Sequence, residues 1–187
     1  MDNYNKINRC SWVNLNNKKY VTYHDNEWCV PCFDDKKIFE YLTLEVFQAG
    51  LSYEIILNKK ENFRNAFDNF NYQKIATYNS NDIYRLLNDK SIIRNKRKII
   101  ATINNAKAFI KIIKSYNSFS NYIWSFTKGI IYETGKSHSD LSDIISKDLK
   151  HHSFSSIGSI TCYSFLQAIG IINSHENNCF KNKKKST

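Results

Sequence analysis

Tyr41-Leu42-Thr43-Leu44-Glu45-Val46-Phe47-Gln48-Ala49-Gly50-Leu51-Ser52-Tyr53 holds an acid inside an otherwise apolar helical pattern. Upstream, Asp34 and Asp35 suit an N-cap, and Ile38, Phe39, Leu42, Val46 and Ala49 then recur at helical spacing as one buried face. Glu45 borders that face. Gly50 permits a tight turn, and Ser52 with Glu54 begins the next helix through Ile55-Ile56-Leu57. The stretch reads as helix, glycine turn, helix, with Glu45 and Tyr53 flanking the turn. On these residues alone, a partly exposed Glu beside a core Tyr competes with a functional acid.

The rest of the chain agrees with a mainly α-helical fold. It has 187 residues, enough for one core or for two small helical lobes sharing an interface, and no stretch resembles a linker. Pro31 is the only proline, and short apolar runs are separated by Asn, Ser, Asp and Lys, a pattern that favours helices over a strand-rich sandwich. No apolar run approaches the roughly 20 residues of a membrane span, and the start lacks the pattern of a signal peptide, so a cytoplasmic protein is expected. The formal charge of +10 clusters at Lys90 to Lys98 and Lys181 to Lys185 and points to a polyanion, nucleic acid first. The end of the chain, 181–187, reads as a mobile basic tail.

Five cysteines in a reducing compartment are better metal ligands or buried thiols than disulfides. Cys10 and His24 lie fourteen residues apart in polar, turn-rich sequence, and His175 and Cys179 have three residues between them. Together they make a Cys2His2 set that would fasten the two ends of the chain around one zinc. Cys29-Val30-Pro31-Cys32 offers a competing Cys-x-x-Cys pair, without a second pair nearby. Cys162, inside an apolar helix from about Ser159 to Ile172, reads as a buried thiol.

Between the ends, Asn71 and Ser80 are suited to cap two short helices. Leu86 to Ile99 then ends one helix, turns through Lys90, Ser91, Arg94 and Lys96, and starts a longer helix through Ile103, Ala106, Ile110 and Ile113. This helix-hairpin-helix pattern surrounds its turn with cations, and backbone N–H groups at the second helix start could face a phosphate. An ordinary solvated basic loop would have the same sequence. The aromatic run Phe119, Tyr122, Ile123, Trp124 and Phe126 fits either core or pocket wall, 128–137 reads as a loop, and His151 and His152 read as exposed.

With these pieces placed, the chain closely resembles the 3-methyladenine DNA glycosylase I family. The matching segments are Arg9-Cys10-Ser11-Trp12-Val13, Tyr23-His24-Asp25-Asn26-Glu27-Trp28, Leu44-Glu45 with Gln48-Ala49-Gly50-Leu51-Ser52, Ile92-Ile93-Arg94, Trp124-Ser125-Phe126, and Cys162-Tyr163-Ser164-Phe165 with Gln167-Ala168. The resemblance implies an all-α helix-hairpin-helix glycosylase fold and one structural zinc on Cys10, His24, His175 and Cys179. It also implies a monomer that acts on double-stranded DNA and excises 3-methyladenine, with Tyr23 and Glu45 in the base pocket. Four positions depart from the family. Tyr53 stands where Trp is usual, Ser91 and Arg97 stand at hairpin positions usually held by glycine, and Cys29 replaces a glycine after Trp28.

A base inside duplex DNA is unreachable, so such an enzyme flips the nucleotide into a pocket. Tyr23, Trp28 and Tyr53 suit the faces of a cationic base, and Glu45 suits its hydrogen-bonding edge and is the candidate catalytic residue. Leu51 is the candidate wedge, and Lys90, Ser91, Arg94, Lys96 and Lys98 the candidate DNA contacts. No Lys stands out as a Schiff-base nucleophile, so base removal without strand cleavage is expected. A damage-binding module that no longer cuts, or a zinc hydrolase, are the competing readings; the first releases no free base, and the second needs an exchangeable water on zinc.

Overall fold

Helix α2 (Asp35–Gln48) is enclosed by the rest of the molecule, and every residue from Ile38 to Phe47 is buried, Glu40, Thr43 and Glu45 included. A helix surrounded on all sides has no solvent face for charge to occupy, so Glu45 is not the border residue that its spacing suggests. Asp34 caps the helix through a 2.7 Å bond from the Lys37 N–H. Asp35 has a different task, accepting from the Phe119 and Ser120 N–H groups at the start of another helix. Ala49, expected on the buried face, lies exposed beyond the last turn. Gly50 then reverses the chain at φ +83.

The computed structural model describes residues 7–182, and the elements around α2 follow in simple order. Helix α1 (Lys18–Asn26) precedes it, and α3 (Tyr53–Ala66), a short 3-10 turn at Asp68–Phe70, α4 (Tyr72–Ile75), α5 (Ser80–Asn88), α6 (Lys96–Tyr116), α7 (Phe119–Trp124), α8 (Asp140–His151) and α9 (Ser159–Ala168) follow. Helices α3, α6, α7 and α9 pack on α2, α1 on α3, and α8 on α9. Phe39, Phe47, Phe63, Phe67, Phe109 and Phe119 fill the core between them. No helix among the described residues is long and apolar enough to cross a membrane. Most of the basic tail lies outside the described residues.

Several local expectations change. The Tyr23-His24 segment is not turn-rich but the end of α1, a helix capped by the Asn17 side chain on the N–H groups of Lys19 and Tyr20. Asn79, not Ser80, caps α5, because Asp82 three residues into the helix returns a bond to the Asn79 N–H. The aromatic run at Phe119 to Ile123 is core. The fold is mostly helical, with one addition: Ile131–Tyr132 (β1) pairs in parallel with Ile172–Asn173 (β2), a contact too short to leave a sequence pattern.

The last helix also stops earlier than expected, at Ala168, where Gly170 turns the chain at φ +75. The segment after Trp28 docks on this end: the Cys29 N–H donates to the Gln167 carbonyl and the Cys32 N–H to that of Ile169, both at 3.0 Å. A Cβ on Gly170 would meet the backbone of Val30 and Pro31 at 2.4 Å. Gly170→Ala therefore combines left-handed strain with a backbone collision, and we expect a loss of roughly 3 kcal/mol in unfolding free energy, read as a melting temperature lower by about 10 °C. An unchanged melting curve would refute the close approach.

Candidate functional site: an aromatic cleft around a buried acid

Four separate parts of the chain converge on one cleft. Tyr20 and Tyr23 project from one side of α1, Glu45 and Gln48 lie a turn apart on α2, Tyr53 opens α3, and Ser164 and Gln167 lie a turn apart on α9. Trp12 and Trp28 complete the lining, and the space enclosed is about 170 Å³. This is below the roughly 300–1,000 Å³ of sites for drug-sized ligands and suits a single flat ring system. Aromatic faces dominate: Tyr23 and Tyr53 have ring centroids 4.7 Å apart, and Trp12 and Trp28 meet edge-on at 4.8 Å.

Glu45 is the electrostatic centre of the cleft. It is 3 % exposed, and no salt bridge reaches it among the described residues. Burial raises its pKa to about 8, an increase only partly offset by the neighbouring Tyr53 hydroxyl. At neutral pH most of the carboxyl is therefore protonated. Burial likewise holds the Tyr23 phenol well above its ordinary range, with Tyr53 and Glu45 adding to the shift. The Tyr53 hydroxyl is buried and makes no hydrogen bond of acceptable geometry.

Behind the cleft, Cys10, His24, His175 and Cys179 come together with all four donor atoms within 4.8 Å of one another. Cys179 Sγ lies 3.4 Å from His24 Nε2, and His175 Nδ1 lies 3.5 Å from both sulfurs. Zn–S bonds of about 2.3 Å and Zn–N bonds of about 2.0 Å, set at tetrahedral angles, require S···N edges of roughly 3.5 Å, so the donor set fits that ion. Burial lowers the basicity of both imidazoles, His175 to about 4, and keeps them neutral as ligands must be. The other nitrogen of His24 is 2.8 Å from Asp25, whose carboxylate is gripped by Arg9. This is the carboxylate–imidazole arrangement that orients a metal-binding ring. Backbone N–H groups of Glu176 and Lys181 donate to the two sulfurs. The Cys29 and Cys32 thiols are used differently: Cys29 accepts from the Ser174 N–H, and Cys32 lies against the Asp34 carbonyl.

The hairpin is a loop, 89–95, between α5 and α6, and its residues divide into two groups. Lys90, Arg94 and Lys96 are exposed. Ser91 and Lys98 are already engaged. The Ser91 N–H and hydroxyl both donate to Asp89, so an internal carboxylate takes the bonds a phosphate would accept. Lys98 Nζ donates to the carbonyls of Phe47 at 2.8 Å and Ala49 at 2.7 Å, closing the C-terminus of α2. Both groups expected to contact phosphate are thus engaged within the chain, and exposed Arg97 joins Lys96 along a shallow groove with Ser155 and Ser156. Leu51 is half-buried at the turn, where its carbonyl accepts from Gln48 Nε2.

The predicted pocket residues Tyr23, Trp28, Glu45 and Tyr53 thus line one cleft, and the four predicted ligands form one cluster. The role of Trp12, Tyr20, Gln48, Ser164 and Gln167 in the lining was not read from sequence. Gln48 carried a usable signal, being three residues after Glu45 on a helix, as did the polar pair Ser164 and Gln167 on apolar α9. Tyr20 carried none.

Residues 12–182 match the family described as methyladenine glycosylase. The chain is 39% identical over 180 residues to DNA-3-methyladenine glycosylase 1 of Escherichia coli strain K12, covering 92% of this chain and 96% of that protein. It is also 39% identical over 178 residues to the DNA-3-methyladenine glycosylase of Haemophilus influenzae, covering 91% and 96%. A crystal structure of 3-methyladenine DNA glycosylase I superposes with a TM-score of 0.89 at 39% identity, over 93% of this chain and 99% of the other. The Staphylococcus aureus enzyme, solved to explain its 3-methyladenine recognition, gives 0.89 at 33% identity, over 96% and 98%.

The raised pKa of Glu45 has a stability consequence of definite sign. A carboxyl whose folded-state pKa lies above its unfolded value stabilises the fold fully below about pH 4.5, and that contribution is lost as pH rises towards 8. Glu45→Gln removes the dependence. Its melting temperature should exceed that of the wild type by a margin that grows between pH 5 and pH 8, reaching a difference on the order of a few kcal/mol. A margin that shrinks over that interval would contradict the assignment.

Proposed function

The chain belongs to the methyladenine glycosylase family, and from that membership we propose that it removes 3-methyladenine from alkylated DNA by flipping the damaged nucleotide into the cleft beside Glu45. The observation that carries this reading is a buried carboxyl without a cationic partner in a small, aromatic-walled space. A neutral ligand would leave that acid protonated. 3-Methyladenine attached to deoxyribose is a cation, which ring faces and a carboxylate both attract. Its entry favours ionised Glu45, so binding should expel a proton from the carboxyl and create the charge-assisted bond.

The chemistry then asks little of the protein. The positively charged base is a good leaving group, the C–N bond breaks towards a sugar cation, and water captures that cation. Tyr23, Trp28 and Tyr53 hold the base, and Glu45 reads its edge. Lys98, at the last turn of α2, is tied to two carbonyls, in keeping with base removal without strand cleavage. Double-stranded DNA is the substrate, and the exposed Lys90, Arg94 and Lys96 of a helix-hairpin-helix element attract its phosphates while Leu51 fills the vacated stack. The protein works as a monomeric, intracellular single-domain enzyme.

One zinc ion on Cys10, His24, His175 and Cys179 would supply cross-linking and no chemistry, since four protein donors complete a tetrahedron. Cys179→Ser should lower zinc content below one per chain and reduce the melting temperature, while Cys32→Ser should leave both unchanged. Metal loss only on changing Cys29 or Cys32 would move the site.

Excision is tested by incubating the protein with methylated duplex and identifying released base. Free 3-methyladenine is expected, and a binding module would release none. Glu45→Gln should slow subsaturating single-turnover release, and Glu45→Ala should slow it more, roughly ten- to a hundredfold, the equivalent of one charge-assisted hydrogen bond. Wild-type release by a folded Glu45→Ala protein would remove Glu45 from the mechanism.

A further inference from the structure

Among the lining residues, Tyr53 has a buried polar atom left over. Its hydroxyl is buried and forms no hydrogen bond, whereas buried Tyr41 donates to Glu27 and Tyr122 to Asp148. Buried polar groups are nearly always satisfied, and an exception in a ligand cleft marks a position that a ligand completes. The ring of Tyr53 is held against that of Tyr23, and the residue is the first of α3, directly after the Ser52 cap. Backbone and ring are thus both fixed. A fixed ring whose hydroxyl lies beside Glu45 and Tyr23, with no hydrogen bond of acceptable geometry to either, is a preorganised donor.

We propose that the Tyr53 hydroxyl reads the flipped base directly, donating a hydrogen bond to an unprotonated ring nitrogen of the N-methylated purine. The inference rests on the function proposed above and adds a specificity-determining contact to it. Glu45 accepts from the exocyclic amine and Tyr53 donates to a neighbouring ring nitrogen, so the two groups read complementary positions on one edge. This is a contact that Trp, usual at this position, would make with different geometry. It gives Tyr53 a hydrogen-bonding role beyond stacking. A donor on the ring nitrogen also draws electron density from the leaving base, in the direction that bond cleavage requires.

The alternative is structural: a hydroxyl that serves only to hold Glu45. Isothermal titration with free 3-methyladenine and its 1-deaza and 7-deaza analogues, on wild type and Tyr53→Phe, separates the two. If the hydroxyl reads the base, Tyr53→Phe weakens 3-methyladenine binding about tenfold without lowering the melting temperature, because an unsatisfied buried group is removed. One deaza analogue should then bind the wild type about tenfold worse than 3-methyladenine but bind Tyr53→Phe as well as 3-methyladenine does. Equal affinities for wild type and Tyr53→Phe, or analogue losses that are the same in both proteins, overturn the inference. So does a lowered melting temperature without that coupling, which would identify a positioning role through Glu45. Release of 3-methyladenine from methylated duplex by the wild type reads the enzymatic function separately, and its absence would defeat that function and this contact together.

Discussion

Burial of α2 on all sides from Ile38 to Phe47 is the constraint on which the molecule depends. A helix with no solvent face must find a partner for each polar group it carries. Glu40 and Glu45 sit on the same helix, and their treatment differs. Glu40 receives Arg64 at 2.8 Å, with Lys60 and Lys37 each at 3.6 Å, and the same Lys60 bonds Glu27 at 2.6 Å. Glu45 receives none of these. The cation-rich side of α2 is a structural network; the other side is a carboxyl left in a low-dielectric cleft, at a cost in stability.

The terminal cluster gives that cleft its walls. Arg9 holds Asp25, Asp25 orients His24, and the Glu176 carboxylate takes the N–H and hydroxyl of Ser11, so the first and last described segments are laced together even apart from a metal. Trp28 stands between the two regions, with one edge against His175 and another against Trp12. Moving either end of the chain would therefore move an aromatic wall. A cross-link at the ends serves the site in the middle because α1, which carries His24, also carries Tyr20 and Tyr23.

Much of this was legible from residue order, for identifiable reasons. Caps act over three residues, so Asp34 and Asn71 could be recognised locally. The Cys2His2 grouping was readable because few residue types suit zinc and His175 and Cys179 had a short spacing. The all-round burial of α2 was not, since besides neighbouring α3 it depends on α6, α7 and α9, which lie far along the chain. Neither was the engagement of Lys98, whose carbonyl partners lie about fifty positions earlier. Cys29 could be seen as a departure from glycine, but only the fold gives it meaning: it sits at φ +59, the region where glycine is easiest. Its cost is set against a buried thiol that accepts the Ser174 N–H, one residue before His175.

In the proposed complex, placing the acid at the base's edge also determines which step it can serve. As the glycosidic bond breaks, positive charge moves from the base to the sugar, so a carboxylate seeing only the base stabilises the ground state more than the transition state. Such a group raises affinity and selectivity without hastening bond cleavage. Neutral adenine gains little, because it cannot compensate for ionising a carboxyl with a pKa of about 8; the methylated cation can. Once cleavage removes the charge, the attraction falls and Glu45 recovers its proton, which weakens the hold on the product. The same raised pKa thereby favours capture of the damaged nucleotide and release of the free base, leaving the intrinsic lability of the cationic base to supply the rate.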